Sequence, residues 1–479
     1  MHLRRATVAV LTALALAGVA GCTGGSSGSG GPSTGPLPTP TPSLTSSGQS
    51  TGQQSPIGAK FDWGQFDLFH GYASQLAGAP TFYELVWCQV EPNQGQLDWS
   101  TVDQIAAQAK EVGVQLMLKI RVGTCWATQG QAQHVRGQKN KTESLMPADL
   151  AAYSAFVSEV VKRYAPQGVH EYAVENEINS ASFWGGTPQE YLTLVGAASK
   201  AIKAADPQAV VVDPGISSTA YGDGIAQRLL QQGQVAQAIA AYNQYYVNRV
   251  AVRGNINTVS SEAELQAQLQ DSKAQRNLDY LAMDEQLLKS GVVDVRQIHF
   301  YETSASIPAL ADYLRATTPS GMPIEAWEVG SFVRGQGVAN DASTAEMVKK
   351  VALLLAAGVR KVLWLPLLAN TSAPASSDEP RTGLLDATGA ERPAAKVFAA
   401  MEADARGASW TGVSGGGLAG VTLTKGGHSI GYVWATGAPV RVASGGGTLT
   451  PLIGSGGGAS ITSTPTRVEL TQGIEGLAR

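Results

Sequence analysis

Two stretches of this 479-residue chain put carboxylates where chemistry could use them: Val174-Glu175-Asn176-Glu177 and Ala326-Trp327-Glu328-Val329-Gly330. Two carboxyl groups facing each other across one pocket can divide the work of breaking a glycosidic bond. One delivers a proton to the leaving oxygen, and the other attacks or stabilises the cationic sugar carbon. A general acid must hold its proton near neutral pH, which burial and a neighbouring negative charge favour. Glu175 and Glu325 are rival carboxylates. Residues two apart in a strand share a face, so Glu175 would point with Glu177 while the strand persists. Glu325, three before Glu328, would point the other way.

The elements that must position these groups alternate regularly. Apolar runs at about 59–62, 81–87, 114–120, 170–174, 209–213, 295–300, 324–327 and 361–365 read as strands. Helical spacing fills the gaps; in 150–164, Tyr153, Phe156, Val157, Val160 and Val161 fall on one face. Eight strands alternating with helices imply parallel pairing and fit a closed (β/α)8 barrel, whose catalytic groups sit at the C-terminal ends of strands. Glu177 ends the fourth strand and Glu328 the seventh. A doubly wound open sheet is the competitor, disfavoured because no Gly-rich phosphate turn follows the first strand. A helical insertion at about 219–290 follows the fifth strand, where it either walls the active face or packs outside.

Composition removes other classes. The 34 Lys+Arg against 38 Asp+Glu leave a net charge of −4, without the basic excess of a nucleic-acid binder. Three cysteines exclude a disulfide-built scaffold, and the six histidines show no metal-ligand spacing. At the N-terminus, His2-Leu3-Arg4-Arg5 precedes an apolar run from Ala6 to Ala20 and then Gly21-Cys22, which reads as a cleaved signal segment over 1–22. The block resembles a bacterial lipobox, which implies lipidation of Cys22 and anchoring to the outer face of the cytoplasmic membrane. Residues 23–56, mostly Gly, Ser, Thr, Pro and Gln, read as a flexible tether. The barrel is expected over 57–404. From 405 to 479, short alternating runs between glycine triplets predict a small antiparallel β domain. Cys88 and Cys125 lie just beyond adjacent strands, so they either pair in an oxidising exterior or stay as buried thiols.

From about Pro56 to Met401 the chain resembles retaining glycoside hydrolases of clan A, of the cellulase, xylosidase and β-galactosidase type. The resemblance rests on Trp87-Cys88-Gln89-Val90-Glu91-Pro92 with Asp98-Trp99-Ser100, on Asn176-Glu177, and on His299-Phe300-Tyr301. Pro323 with Glu328 and Gly330, Trp364, and Gly383-Leu384-Leu385-Asp386 complete it. It implies Glu177 as acid/base, Glu328 as nucleophile, and Asn176 bonding the sugar hydroxyl beside the reacting carbon. It also implies Tyr301 holding the nucleophile, with His299 on the same floor. Trp364 would be a sugar platform, and Trp126 and Trp184 cleft walls unless they are packing residues. Many clan members carry an arginine on the second strand against the nucleophile; Tyr83 and Glu84 stand there instead, which leaves Arg121 on the third strand as the expected substitute. A β-sandwich after the barrel, an oligo- or polysaccharide substrate, and chemistry without metal or cofactor follow from the same resemblance. The alternative is a non-catalytic carbohydrate-binding lipoprotein on such a barrel.

Overall fold

The computed structural model describes residues 44–50, 52–136, 141–250, 256–331, 341–369, 383–442, 446–453 and 459–470. The signal segment, Cys22 and most of the expected tether lie outside them. No helix among the described residues is long and apolar enough to cross a membrane.

Among the described residues, eight parallel strands form the body: β1 (Ile57–Ala59), β2 (Pro80–Val86), β3 (Gln115–Arg121), β4 (Glu171–Val174), β5 (Val210–Val212), β6 (Arg296–Phe300), β7 (Ile324–Val329) and β8 (Val359–Trp364). They make two four-stranded sheets, ordered β1-β8-β7-β6 and β2-β3-β4-β5. Single bridges from Val212 to Val295 and from Ile216 to Ile298 link β5 to β6. Between β1 and β2 the backbones crowd: a Cβ on Gly58 would lie 1.9 Å from the Pro80 carbonyl oxygen, so only glycine fits. Side chains from successive strands meet in one buried cluster of Phe82, Met117, Ala173, Val212, Val295, Trp327 and Leu363. Alternation explains this, since every second residue of a strand points to the same side.

The opposite faces of the strands bury the apolar stripes of helices. Helix Leu150–Tyr164 buries the five residues its spacing singled out, and the Asp149 side chain caps it by accepting from the Ala151 amide. Helix Pro188–Ala205 opens with a reciprocal Thr187–Glu190 capping box. The insertion consists of helices Ser218–Gln231, Val235–Tyr245, Glu262–Leu269 and Ser272–Lys289.

Two expectations are corrected here. The tether does not extend to residue 56: Leu44 is buried, and Ser47–Gln49 pairs antiparallel with Ser409–Gly415. Strand pairing uses backbone groups, which a Gly/Ser-rich segment has in full, so low apolar content does not keep it out of a sheet. The C-terminal region is antiparallel as expected, but in place of the expected sandwich the described residues form one six-stranded sheet, with a two-stranded ribbon of Val440–Arg441 and Ser460–Ile461. Val413, Leu418, Val433, Ile461 and Val468 form its own small core. It is tied to the body through helix Asp341–Ala356: the Ser46 amide donates to the Ala356 carbonyl at 3.0 Å, and Gly412 packs against Ala356.

Candidate active site

The chain leaves β4 through an unusual turn. Glu175 and Glu177 both have positive φ, 68° and 42°, a conformation that side-chain-bearing residues adopt only when their surroundings impose it. Here the imposition is visible. Glu175 Oε1 accepts from the Val122 amide at 2.7 Å, and the Glu177 amide donates to the Gly215 carbonyl at 3.0 Å. Strand alternation therefore stops at Val174, and the two glutamates part. Glu175 turns into the wall towards Arg121, 3.5 Å away, whereas Glu177 turns into the site. The segment after Glu177 is clamped by the insertion. Arg276 donates to the carbonyls of Asn179 (2.8 Å), Trp184 (3.0 Å) and Ile178 (3.3 Å), and Tyr280 donates to that of Gly186 at 2.7 Å. The insertion thus holds the loop that carries the acid/base candidate.

Glu328 arrives from β7, where the register against β6 shifts between Ala326 and Glu328. Glu325 lies at the other end of the strand, bonded to the Trp327 indole at 2.8 Å and paired with Lys361 at 3.2 Å. Glu328 Oε2 accepts from the Tyr301 hydroxyl at 2.8 Å, and Oε1 accepts from the Lys119 ammonium at 2.9 Å. Burial by itself would raise this carboxyl's pKa, but His299, Lys119 and Lys60 outweigh it and hold it well below the ordinary carboxylate range. Burial, then Glu328 and Glu177, push the Tyr301 hydroxyl well above its usual value, so it remains a neutral donor.

His299 joins the two carboxylates. Its Nδ1 lies 2.8 Å from Glu177 Oε1 and 3.6 Å from Glu328 Oε2. One ligand-type atom from each of Glu177, His299 and Glu328 lies within 4.8 Å of the others. A cation could in principle be shared by three such groups, but the Lys119 ammonium already lies against Glu328. The arrangement therefore suits proton transfer and nucleophilic attack better than metal binding.

Lys119 is the residue that sequence reasoning missed. It is fully buried, and besides Glu328 it donates to Asn176 Oδ1 at 2.5 Å. The signal was present: Leu116-Met117-Leu118-Lys119-Ile120 carries one charge inside an apolar strand, and buried lysines are rare unless paired. Glu84, on β2 where an arginine was expected, is buried among Lys60 (3.3 Å), Lys141 (3.3 Å) and Arg121 (3.6 Å). Burial would raise its pKa, but Lys141, Lys60, Arg121 and Lys119 hold it well below the usual range.

The other expected residues fare unevenly. Arg121 does not reach Glu328: its ion pairs are with Glu84 and Glu175, and it donates to the Thr142 and Phe183 carbonyls at 3.1 and 3.2 Å. It stands two residues from Lys119, and the strand carries the two side chains to different partners. Trp184 is no cleft wall. It is fully buried, edge-on to Tyr191, with its indole N–H on the Thr187 carbonyl at 3.2 Å. Trp364 ends β8 with 4% of its surface exposed. Trp126 does present its ring, 37% exposed, while its indole N–H donates to the Glu91 carbonyl at 2.7 Å. Cys88 and Cys125 are joined as a disulfide, Cα atoms 5.6 Å apart, pinning the segments after β2 and β3.

The sequence matches no family model and no curated protein. Solved structures do resemble it. A family 39 glycoside hydrolase from the gut symbiont Bacteroides cellulosilyticus WH2 aligns at a TM-score of 0.57 and 14% identity, over 88% of this chain and 81% of that one. A family 39 β-xylosidase from Caulobacter crescentus gives 0.52 and 15%, over 83% and 80%. The family 39 enzyme from Xanthomonas axonopodis pv. citri gives 0.50 and 15%, over 82% and 73%. At such identities it is architecture that is shared, and the chain has the fold of these glycoside hydrolases.

Proposed function

We propose that this chain is a retaining glycoside hydrolase on a closed (β/α)8 barrel, exported and held on the outer face of the cytoplasmic membrane by a lipid on Cys22. The observation that carries the catalytic reading is the meeting of Glu177 and Glu328 around His299, one carboxylate oxygen of each and a ring nitrogen lying within 4.8 Å of one another. Retaining enzymes place their carboxyl groups about 5–5.5 Å apart, and inverting ones about 6.5–9.5 Å to admit a water. The close spacing favours retention. The inward cluster drawn from successive strands and the close approach of Gly58 to Pro80 support closure of the barrel.

In the first step Glu328, ionised and held by Tyr301 and Lys119, attacks the anomeric carbon. Glu177 gives its proton to the departing glycosidic oxygen. In the second step Glu177 takes a proton from water, whose oxygen attacks the same carbon and releases Glu328. Lys119 fixes Asn176 by its amide oxygen, which leaves the amide N–H groups for a sugar hydroxyl. Trp126 offers an exposed ring on which a sugar could stack. No step calls for a cofactor. The export and anchoring rest on the N-terminal sequence.

The test is turnover of aryl glycosides by wild type and Glu328→Gln, with 2-fluoroglycoside labelling and NMR of the first-formed anomer. Label on Glu328 and retained configuration are expected. Carbohydrate binding without turnover in both proteins would instead favour the non-catalytic reading. Cys22→Ser should move the protein from the membrane fraction to the soluble one.

A further inference from the structure

The two nitrogens of His299 face different company, and this determines where its proton sits. Nδ1 looks at Glu177 and Glu328. Nε2 lies 3.1 Å from Gln297 Oε1 and 3.2 Å from Lys119 Nζ. It can donate to the first or accept from the second, but not both.

Gln297 cannot turn its amide to suit either case. Its own N–H donates to the Asp213 carbonyl at 2.8 Å, and a flipped amide would set oxygen against oxygen there. Its Oε1 therefore faces the imidazole, and an amide oxygen only accepts. Were Nε2 unprotonated it could accept from Lys119, but its lone pair would oppose that of Gln297 Oε1 between fully buried side chains, leaving the amide oxygen unsatisfied. Lys119 does not need Nε2. Two of its three N–H groups go to Asn176 and Glu328, and the ammonium also lies 4.4 Å from the centre of the Phe82 ring, whose face attracts a cation. Gly215 keeps the imidazole and amide together: a Cβ there would lie 2.6 Å from His299 Nε2 and 3.0 Å from the Gln297 amide. The same glycine holds the Glu177 amide by its carbonyl.

We propose that Gln297 locks His299 with its proton on Nε2, so that the exchangeable proton of the site lies on the bridge between His299 Nδ1 and Glu177. That bridge holds one proton, either as carboxylic acid with imidazole or as carboxylate with imidazolium; the total charge is the same. Gln297 is thus a positioning residue for the proton donor. Its effect on catalysis rests on the function proposed above, whereas the tautomer does not.

The test uses the full chain, 15N-labelled, and long-range proton–nitrogen correlations of its histidines, with His299→Gln to assign the signal. Wild type is expected to keep Nε2 protonated throughout the stable pH range. In Gln297→Met, Nε2 becomes free to accept from Lys119, and the tautomer moves to Nδ1–H. On an aryl glycoside the variant should lose roughly tenfold in kcat/KM, with the basic limb of its pH profile displaced by about one unit. An Nδ1–H tautomer in wild type overturns the proposal whatever the variant does. A folded Gln297→Met with unmoved tautomer and unmoved limb also overturns it. Absence of turnover in wild type alongside the Nε2–H signal would sink the hydrolase reading and leave the tautomer standing.

Discussion

The Lys119 ammonium lies 2.9 Å from Glu328 Oε1, and the lysine side chain is wholly excluded from solvent while that of the glutamate is 8% exposed. The pair joins β3 to β7 across the floor of the site. It supplies the positive partner that Arg121 was expected to provide, and it leaves Glu84, on β2, to be neutralised by Lys60, Lys141 and Arg121.

Removing Lys119 should therefore unsettle both stability and pH response. Breaking a buried ion pair from one side costs about 3–5 kcal/mol, so Lys119→Met should unfold at markedly lower urea. The Glu328 pKa is depressed in the folded protein, so its contribution is present above the unfolded carboxylate range and is lost as pH falls through the folded value. Without Lys119 that folded value rises. The acidic limb of kcat/KM should move to higher pH, and an unmoved limb would contradict the role.

Tyr301→Phe removes a hydrogen bond to an ionised group while keeping the ring. Such bonds contribute about 1.5–3 kcal/mol. That bond already exists in the free protein, so its energy as such cancels in kcat/KM; what is lost is the aim of the attacking oxygen, which should cost roughly 10- to 100-fold in kcat/KM. Circular dichroism should change little, while the melting temperature should fall by a few degrees.

Glu177→Gln separates proton donation from attack. Substrates with poor leaving groups need the proton and should slow by about 10²–10⁴-fold. An activated dinitrophenyl glycoside leaves without it and should lose far less in the first step. Equal losses on both would argue against Glu177 as the acid.

Arg276→Ala should show that the insertion serves the site. The change frees three carbonyls of the segment after Glu177. The expected outcome is a fall in kcat with faster amide exchange at residues 178–184, while the strands remain protected.

The disulfide spans 37 residues of chain. Loop entropy alone makes such a link worth about 4 kcal/mol. Cys88→Ser, or reduction of the wild type, should lower the urea midpoint accordingly; an unchanged midpoint would mean that the loops are held by packing instead.

Much of this protein is legible without coordinates. Apolar runs of strand length alternating with helical stripes specify a parallel α/β body, because only burial on both faces accounts for them. That pattern also places Glu177 and Glu328 at strand ends, since strand ends show where apolar runs stop. What only tertiary structure decided is which groups meet. Alternation along a strand would keep Glu175 beside Glu177, but two left-handed residues, imposed by Val122 and Gly215, turn them apart. Lys119 and Arg121 share a strand and a sign of charge, yet their partners lie on other strands, and one-dimensional spacing carries no record of those. Ser47–Gln49 joins a sheet through its backbone, which every sequence possesses equally. Local composition governs local burial, whereas the pairing of charges and edges depends on the closure of the whole chain.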